Sequence, residues 1–243
     1  MKPDQSIALV TGANKGIGKE ISRQLAAKGV FVLLGIRDAA RGQQAETDLR
    51  AQGLTVQLLP LDVTDQQSVD QAASCVENQY GRLDILVNNA GIALDWGRPS
   101  ELEIEALQKT YDTNVFGVFR VTRAMLPFLR KSKAGRIVNV SSALGSVTLT
   151  ADPNGPFQGR SMLLAYCSSK SALNMMTLQF ANELKGSGIK VNAVTPGYVA
   201  TDMNQHQGTR TVEQGAATPV RLALLADDGP TGGFFSDEGV VPW

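Results

Sequence analysis

Histidine and cysteine are scarce in this sequence. Its 243 residues include one histidine, His206, and two cysteines, Cys75 and Cys167. One histidine gives little basis for a histidine-dependent catalytic triad or a histidine-rich metal site, and we expect no bound metal. The cysteines form no C-x-x-C pair, so we expect reduced thiols in a cytoplasmic protein. Catalysis, if present, has to use other side chains.

Net charge and long apolar runs are absent too. The 23 basic and 23 acidic residues give a formal net charge of zero, and the basic residues form no dense block. This distribution gives no electrostatic support for binding nucleic acid or an anionic membrane. No apolar run reaches membrane-spanning length, and the short polar start lacks the apolar region of a signal peptide. We therefore expect a small-molecule ligand, and neither nucleic acid nor a membrane as a partner.

Short apolar runs alternate with longer amphipathic stretches along the chain. Short apolar runs of this kind are typical of buried strands in a parallel sheet that is covered on both faces. Strands are predicted at residues 7–10, 30–36, 56–59, 85–87, 137–140, 189–194 and 233–235. Helices are predicted at residues 16–28, 39–52, 65–80, 101–131, 161–185 and 211–226. The alternation predicts one α/β domain over residues 1–243, a doubly wound parallel sheet of about seven strands with helices on both faces.

Two segments are predicted to be loops on the substrate side of this sheet. Glycine and proline interrupt residues 143–160, and residues 198–210 follow a Pro-Gly turn. Ligands of such sheets bind outside the carboxyl ends of the strands, where these segments should lie. Leu94 and Trp96, after the fourth strand, are candidates for an apolar wall of the same site.

A glycine-rich loop directly follows the first predicted strand. Glycines there allow a tight turn, a close approach of the backbone to a pyrophosphate, and close packing of helix on sheet. The start of the next helix adds a partial positive charge. In this strand–turn–helix context the loop predicts dinucleotide binding by a Rossmann-type fold. The candidate contacts are Gly12, Asn14, Lys15, Gly16, Ile17 and Gly18.

The end of the second strand indicates which dinucleotide is bound. Proteins that prefer NAD usually carry an acidic residue there, and this sequence has Arg37 followed by Asp38. Arg37 and Lys15 are placed to flank a 2′-phosphate, with Arg41 as a further candidate, since guanidinium groups suit phosphate oxygens. The sequence therefore favours NADP(H), although Asp38 is an acidic residue of the kind that NAD-preferring proteins carry there.

Tyr166 and Lys170 are the strongest candidates for proton transfer, although their spacing alone also fits an ordinary exposed helix face. They are four residues apart at the start of a predicted helix, so they share a helix face. A neighbouring ammonium favours the phenolate, and we expect it to lower the pKa of Tyr166 towards neutral pH. Such a phenol can give a proton to a carbonyl oxygen or take one from an alcohol.

Further polar groups follow successive predicted strands. Asn88–Gly91 follows the fourth strand, Ser141 and Ser142 end the fifth, and Pro196 and Thr201 follow the sixth. With the glycine-rich loop, Asn114 and the Tyr166/Lys170 pair, these motifs resemble the short-chain dehydrogenase/reductase family over nearly the whole chain. Within that family the sequence is most similar to the carbonyl reductases.

The resemblance implies a role for each matching residue. Tyr166 is the general acid in reduction and the general base in oxidation. Lys170 lowers its pKa and binds the nicotinamide ribose, and Ser142 orients the substrate carbonyl. Asn114 holds a water that links Lys170 to solvent. For Ser141, the role of a structural hydroxyl at the strand end is left open.

The same resemblance implies the remaining cofactor contacts. Asp62 and Val63 are expected at the adenine, and Thr201 at the carboxamide. Other cofactor contacts are expected from Asn89, Ala90, Gly91, Pro196, Gly197 and Val199. The implied activity is NADPH-dependent reduction of aldehydes or ketones.

Two alternatives to a carbonyl reductase stay open. One is a 3-oxoacyl or sugar-alcohol reductase of the same family, and the other is a non-catalytic sensor that binds NADPH. The stretch from Ser142 to Tyr166 is about ten residues longer than in the commonest family members. It is shorter than the large insertion of animal carbonyl reductases, which is associated with monomers. We expect a monomer, with a homodimer as the other option.

Overall fold

In a computed structural model, which describes residues 5–159 and 161–243, seven parallel strands form one sheet. Their order is β3-β2-β1-β4-β5-β6-β7. The strands are β1 (Ile7–Thr11), β2 (Phe31–Ile36), β3 (Val56–Pro60), β4 (Ile85–Asn88), β5 (Arg136–Val140), β6 (Lys190–Val194) and β7 (Phe234–Phe235). Every residue of β1, β2, β4 and β5 is buried, as expected for strands covered on both faces. The predicted doubly wound α/β fold is confirmed.

Helices cover both faces of the sheet. They are α1 (Gly16–Ala27), α2 (Ala39–Arg50), α3 (Gln66–Tyr80), α4 (Ile104–Tyr111), α5 (Val118–Leu129), α6 (Val147–Ala151), α7 (Leu164–Glu183) and α8 (Val212–Ala223). α6 lies inside the segment predicted to be an irregular loop, and residue 160 of that segment lies outside the described residues. Within the described ranges, no helix has the length and apolar character needed to cross a membrane.

Alternate residues of each strand contribute to two separate apolar cores. Ala8 and Val10 of β1 pack with the buried side chains of α1, α2 and α8. Ile7 and Leu9 of the same strand pack with those of α3, α5 and α7. Because consecutive side chains of a strand point to opposite faces, the apolar strands bury both faces at once.

The strand order reverses at β1, which pairs with β2 on one side and β4 on the other. The connections after these strands leave towards opposite faces, which opens a crevice at their carboxyl ends. The site described below lies at this edge.

The predicted helix over residues 101–131 is wrong in detail. The structure has a 3-10 turn at Pro99–Glu101, then α4, a π-helical turn over Asp112–Gly117, and α5. Periodicity could not show the π turn, because its i→i+5 bonding keeps the chain helical and adds only one residue per turn. π turns are frequent at functional sites, and this one contains Asn114.

The C-terminal segment packs beside the loop that follows β5. The Trp243 ring stacks on Phe234 with 5.5 Å between ring centroids. Thr148 donates its backbone N–H to the Trp243 carbonyl at 3.0 Å, and the Ser146 hydroxyl donates to the Pro242 carbonyl at 2.7 Å. These contacts hold α6 and the turn before it against the end of the sheet.

Candidate active site

A cavity of about 610 Å³ opens at the carboxyl edge of the sheet, between the glycine-rich loop and the start of α7. Thirteen of the predicted site residues line it: Gly12, Asn14, Lys15, Gly16, Ile17, Gly18, Asn89, Ala90, Gly91, Tyr166, Lys170, Pro196 and Thr201. The structure thus gathers the ends of four strands, β1, β4, β5 and β6, and the start of α7 around one space. This arrangement is consistent with the prediction that the polar groups converge at this edge of the sheet.

The glycine-rich loop has the properties of an anion site. Gly12 and Gly16 have φ angles of +66° and +53°, a region that glycine occupies without strain. A Cβ on Gly18 would lie 2.4 Å from the Gly12 carbonyl oxygen, so α1 approaches the loop too closely for any side chain there. No side chain caps the first turn of α1, whereas Asp65 caps α3. The first N–H groups of α1 are therefore free to bind an anion, and the loop fits the pyrophosphate of a dinucleotide.

Asn89 holds the glycine-rich loop in place. Its side-chain Nδ2 donates to the Thr11 carbonyl at 2.9 Å. The Thr11 hydroxyl in turn accepts from the backbone N–H groups of Asn89 and Ala90, each at 3.0 Å. The carboxyl ends of β1 and β4 are therefore tied together at the point where the crevice opens.

The predicted 2′-phosphate and adenine residues form a second cluster, at the end of β2 and outside the cavity lining. Each cation there faces a carboxylate: Arg37 lies 3.7 Å from Asp62, and Arg41 lies 3.6 Å from Asp38. Arg37 is 74% exposed. Exposed pairs of this kind contribute only about 0–1 kcal/mol, so both guanidinium groups can turn towards a phosphate at little cost. Val63, the other predicted adenine contact, packs against the π turn: a Cβ on Gly117 would lie 2.8 Å from its Cγ2.

Tyr166 and Lys170, which both line the cavity, come together with Ser142. Tyr166 is partly exposed and makes a hydrogen bond with the Ser142 side chain. Lys170 is 4% exposed, and its Nζ lies 5.6 Å from the centroid of the Tyr166 ring. That ammonium donates to the Val140 carbonyl at 2.7 Å, which fixes it at the end of β5.

Burial dominates the titration of this pair. It raises the pKa of the Tyr166 phenol to about 12, although the hydrogen bond with Ser142 acts in the lowering direction. Burial also lowers the pKa of Lys170 to about 8. The predicted lowering of the Tyr166 pKa by Lys170 is therefore wrong for this structure. The physical reason is that the ammonium lies over the ring and binds Val140, while removal from water penalises both charged forms.

The two serines at the end of β5 have different surroundings. Ser141 is buried and donates its hydroxyl to Asn174 Oδ1 at 2.6 Å, so it ties β5 to α7. Ser142 begins the next turn, where its hydroxyl accepts from the Leu144 N–H at 3.2 Å. Only Ser142 is bonded to Tyr166, which agrees with its selection from the sequence.

Asn114 is fully buried in the π turn and uses its side chain to hold its neighbours. Oδ1 accepts from the Ile92 N–H, and Nδ2 donates to the Ile92 carbonyl, both at 2.9 Å. Nδ2 also donates to the Ser169 hydroxyl at 3.0 Å. Asn114 therefore joins the cavity wall after β4 to α7, a task that the sequence did not indicate; the predicted water stays a prediction.

The segment after β6 closes the other side of the cavity. Thr201 lies beside the glycine-rich loop, and a Cβ on Gly16 would be 3.6 Å from its Cγ2. Lys15 Nζ lies 2.5 Å from Asp202 Oδ2, so a salt bridge crosses from the loop to this segment. Asp202 also accepts from His206 Nε2 at 2.9 Å. Asp202 was not predicted, because only the fold brings it to Lys15.

Gly197 and Val199 are placed beside this segment rather than in the cavity lining. Gly197 has φ +78°, and a Cβ there would lie 2.6 Å from Arg210 Cδ. Val199 is buried against α8, where a Cβ on Gly215 would lie 2.5 Å from its Cγ2. Both residues shape the turn that carries Thr201.

Leu94 and Trp96, the residues predicted to form an apolar wall, do not line the main cavity. Both are about half exposed and line a separate cavity of about 200 Å³, together with Asp95, Gly97, Arg98, Glu101, Leu102, Glu103 and Ala106. The reason is that Asp95 between them is buried, so its neighbours on both sides face outward. Among the described residues of the predicted substrate-side loops, 198–210 contributes Ala200, Thr201, Asp202, Met203 and His206 to the main cavity lining, and 143–159 contributes none.

Comparison with known proteins gives a consistent picture. The short chain dehydrogenase family matches residues 6–211. Short-chain dehydrogenase/reductase 1 of Saponaria officinalis is 38% identical, covering 97% of this chain and 95% of the relative. Carbonyl reductase [NADPH] 3 of Mus musculus is 37% identical, covering 98% of both chains. The solved structure of an NADPH-bound carbonyl reductase from chicken fatty liver superimposes with a TM-score of 0.85 at 30% identity, covering 98% of this chain and 99% of the other.

Proposed function

The chain belongs to the short chain dehydrogenase family, and on that premise we propose that it is an NADPH-dependent reductase of aldehydes and ketones. The observation that carries the proposal is the cluster of Tyr166, Ser142 and Lys170 at a cavity that the uncapped start of α1 also lines. A proton donor and an anion site in one cavity are what hydride transfer to a carbonyl requires.

The choice of NADPH has support from two directions. The mouse relative is named for NADPH, and the chicken enzyme was solved with NADPH bound. In this chain Arg37, Lys15 and Arg41 are the cations available to a 2′-phosphate, and each is more than half exposed, so leaving its carboxylate partner costs little. The glycine-rich loop would hold the pyrophosphate, and the bound nicotinamide supplies the hydride.

Tyr166 delivers the proton to the carbonyl oxygen. Because burial raises its pKa to about 12, the phenol is protonated at neutral pH and ready to act as an acid. Ser142, already bonded to Tyr166, is placed to donate to the same oxygen as negative charge develops on it. The Lys170 ammonium lies 5.6 Å from the centroid of the same ring. Together these groups favour the reducing direction at neutral pH.

Activity is tested by following NADPH oxidation with a panel of aromatic aldehydes, medium-chain aldehydes, ketones and quinones. 3-Oxoacyl thioesters and ketoses serve as the arms for the other family reductases, and NADH is the control cofactor. We expect turnover with NADPH and at least one simple carbonyl. A protein that binds NADPH and oxidises none of it would instead be the non-catalytic sensor.

The matched variant is Tyr166→Phe, which keeps the ring and removes the proton. We expect a loss of kcat of about 10²–10⁴-fold. NADPH affinity, measured by isothermal titration calorimetry, should stay close to that of the wild-type protein. A variant that no longer binds NADPH would show that Tyr166 is structural.

The proposal extends to assembly and location. We propose a monomer, because the longer segment after Ser142 contains α6, and a cytoplasmic location, because Cys75 and Cys167 are free thiols. Light scattering, recorded as the protein elutes from a size-exclusion column, measures whether it is a monomer. A dimer would be expected to cover the exposed rings of Phe116 and Phe119.

A further inference from the structure

The catalytic helix α7 begins without a local cap. Leu163, the residue before it, has a left-handed backbone (φ +60°), and its side chain makes no capping hydrogen bond. A non-glycine residue in this conformation is uncommon and has to be held by its surroundings. Tyr166 is the third residue of α7, so whatever fixes this first turn also fixes Tyr166.

The missing cap comes from Asp95, 70 residues earlier in the chain. Its carboxylate accepts from the Ala165 N–H at 2.7 Å and from the Tyr166 N–H at 3.4 Å, one oxygen to each. Asp95 is 7% exposed, so these bonds lie out of water. A buried carboxylate at the N-terminus of a 20-residue helix also interacts favourably with the helix dipole.

The backbone carbonyl of Tyr166 is held by hydrogen bonds that lead back to the same part of the chain. The Ser169 hydroxyl donates to the Tyr166 carbonyl at 2.7 Å and accepts from Asn114 Nδ2. Asn114 in turn binds both backbone groups of Ile92, in the segment that continues to Asp95. The Tyr166 N–H and C=O are thus tied to one short stretch, residues 92–95, whose first two residues, Ile92 and Ala93, line the cavity.

We propose that Asp95 is a positioning residue, which sets the place of the Tyr166 hydroxyl relative to the cavity wall. The inference rests on the proposed function, because it assigns a consequence for turnover to a contact between two parts of the site. A helix cap within α7 could not do this, since it would leave α7 free to shift against residues 91–93. A displacement of about 1 Å between reacting groups can cost about 100-fold in rate.

The first test compares Asp95→Ala with Asp95→Asn. We expect kcat to fall by roughly 10- to 100-fold in Asp95→Ala, with little change in the KM for NADPH, because the anion site is remote from this contact. Asp95→Asn keeps one acceptor for the Ala165 N–H and should recover much of the lost kcat. Glu103→Gln, an exposed carboxylate on the same connection, is the matched control and should behave as wild type.

The second test needs no turnover and uses Cys167 as a reporter. Burial raises the pKa of the Cys167 thiol to about 11, and the nearby Asp95 carboxylate acts in the same direction. In a Cys75→Ser background, Asp95→Asn should speed alkylation of Cys167 by iodoacetamide several-fold, roughly twofold to tenfold, at fixed pH. Glu103→Gln should leave that rate unchanged.

The outcomes separate the inference from the proposed function. A wild-type protein that reduces no carbonyl defeats the proposed function, while the Cys167 rate still reports the contact. An active wild type with normal kcat in Asp95→Ala overturns the inference. So does an Asp95→Asn protein with kcat as low as that of Asp95→Ala, or an unchanged alkylation rate. If Asp95→Ala does not fold, the Asp95→Asn variant tests the inference. A kcat below that of the wild type supports it. A wild-type kcat together with an unchanged alkylation rate of Cys167 overturns it.

Discussion

Lys170→Met is expected to make the protein inactive and, at neutral pH, more stable. Methionine keeps most of the apolar stem and removes the ammonium, which is 4% exposed and bonded to the Val140 carbonyl at 2.7 Å. Burial of Lys170 beside Tyr166 destabilises the charged form of the lysine. The variant therefore separates the catalytic value of the charge from its cost in folding free energy.

The size of the effect follows from the pKa of Lys170. Its fall from 10.5 to about 8 corresponds to about 3 kcal/mol of destabilisation of the protonated folded state, at roughly 1.36 kcal/mol per pKa unit. Removing the ammonium also leaves the Val140 carbonyl without its donor, which costs about 1–2 kcal/mol. We expect the free energy of unfolding to rise by about 1–2 kcal/mol at pH 7.

The pH dependence carries the sign of this argument. The folded pKa lies below the unfolded one, so between pH 8 and pH 10.5 the unfolded chain holds a proton that the folded protein has lost. The stability of the wild-type protein therefore rises with pH through that window, while the methionine variant gains nothing there. Urea unfolding followed by circular dichroism should show the variant ahead at pH 7 and behind above about pH 10.

Lys185→Met is the matched control, because Lys185 is exposed at the end of the same helix. Its difference from wild type should be small and should not change with pH. A Lys170→Met protein that is less stable than wild type by the same amount at every pH would refute the reasoning. It would mean that the ammonium is stabilised, and not penalised, in the folded protein.

Three other perturbations give distinct readouts. Arg37→Ala should weaken NADPH binding by roughly tenfold or more and NADH binding hardly at all, measured by calorimetry; equal losses would contradict the phosphate assignment. Arg136→Leu should lower the free energy of unfolding by about 2–4 kcal/mol in urea, because this buried guanidinium donates to the Leu225 and Gly188 carbonyls. Alcohol oxidation should accelerate with pH from about 6 to 9, because Tyr166 with a pKa of about 12 is almost wholly protonated there and the phenolate fraction that acts as the base rises with pH; a rate independent of pH would contradict this role of Tyr166.

Much of the fold was accessible from local patterns. β1, β2 and β5 are fully buried and largely apolar in sequence, so their positions could be located to within one residue. A spacing of four places Tyr166 and Lys170 on one face of a helix, but the resemblance to the short-chain dehydrogenase/reductase family is what singled them out. The carboxyl-edge rule for parallel sheets then brought them to the glycine-rich loop.

The features that escaped prediction depend on contacts between distant segments. The Asp95 carboxylate is 70 residues from the helix turn that it caps, and an acidic residue in a loop carries no local sign of burial. The Tyr166 pKa depends on how completely the fold removes the phenol from water, which spacing does not report. The π turn around Asn114 is set by packing on both sides of it.

The placement of the two tryptophans offers a pair of optical reporters. Trp243 stacks on Phe234 beside the segment that follows Ser142, while Trp96 is a half-exposed neighbour of Asp95. A Trp243→Phe protein would keep one indole, whose emission follows the wall of the site when a nucleotide is added. A Trp96→Phe protein would keep the other, so that the movements of two sides of the molecule can be recorded separately by fluorescence.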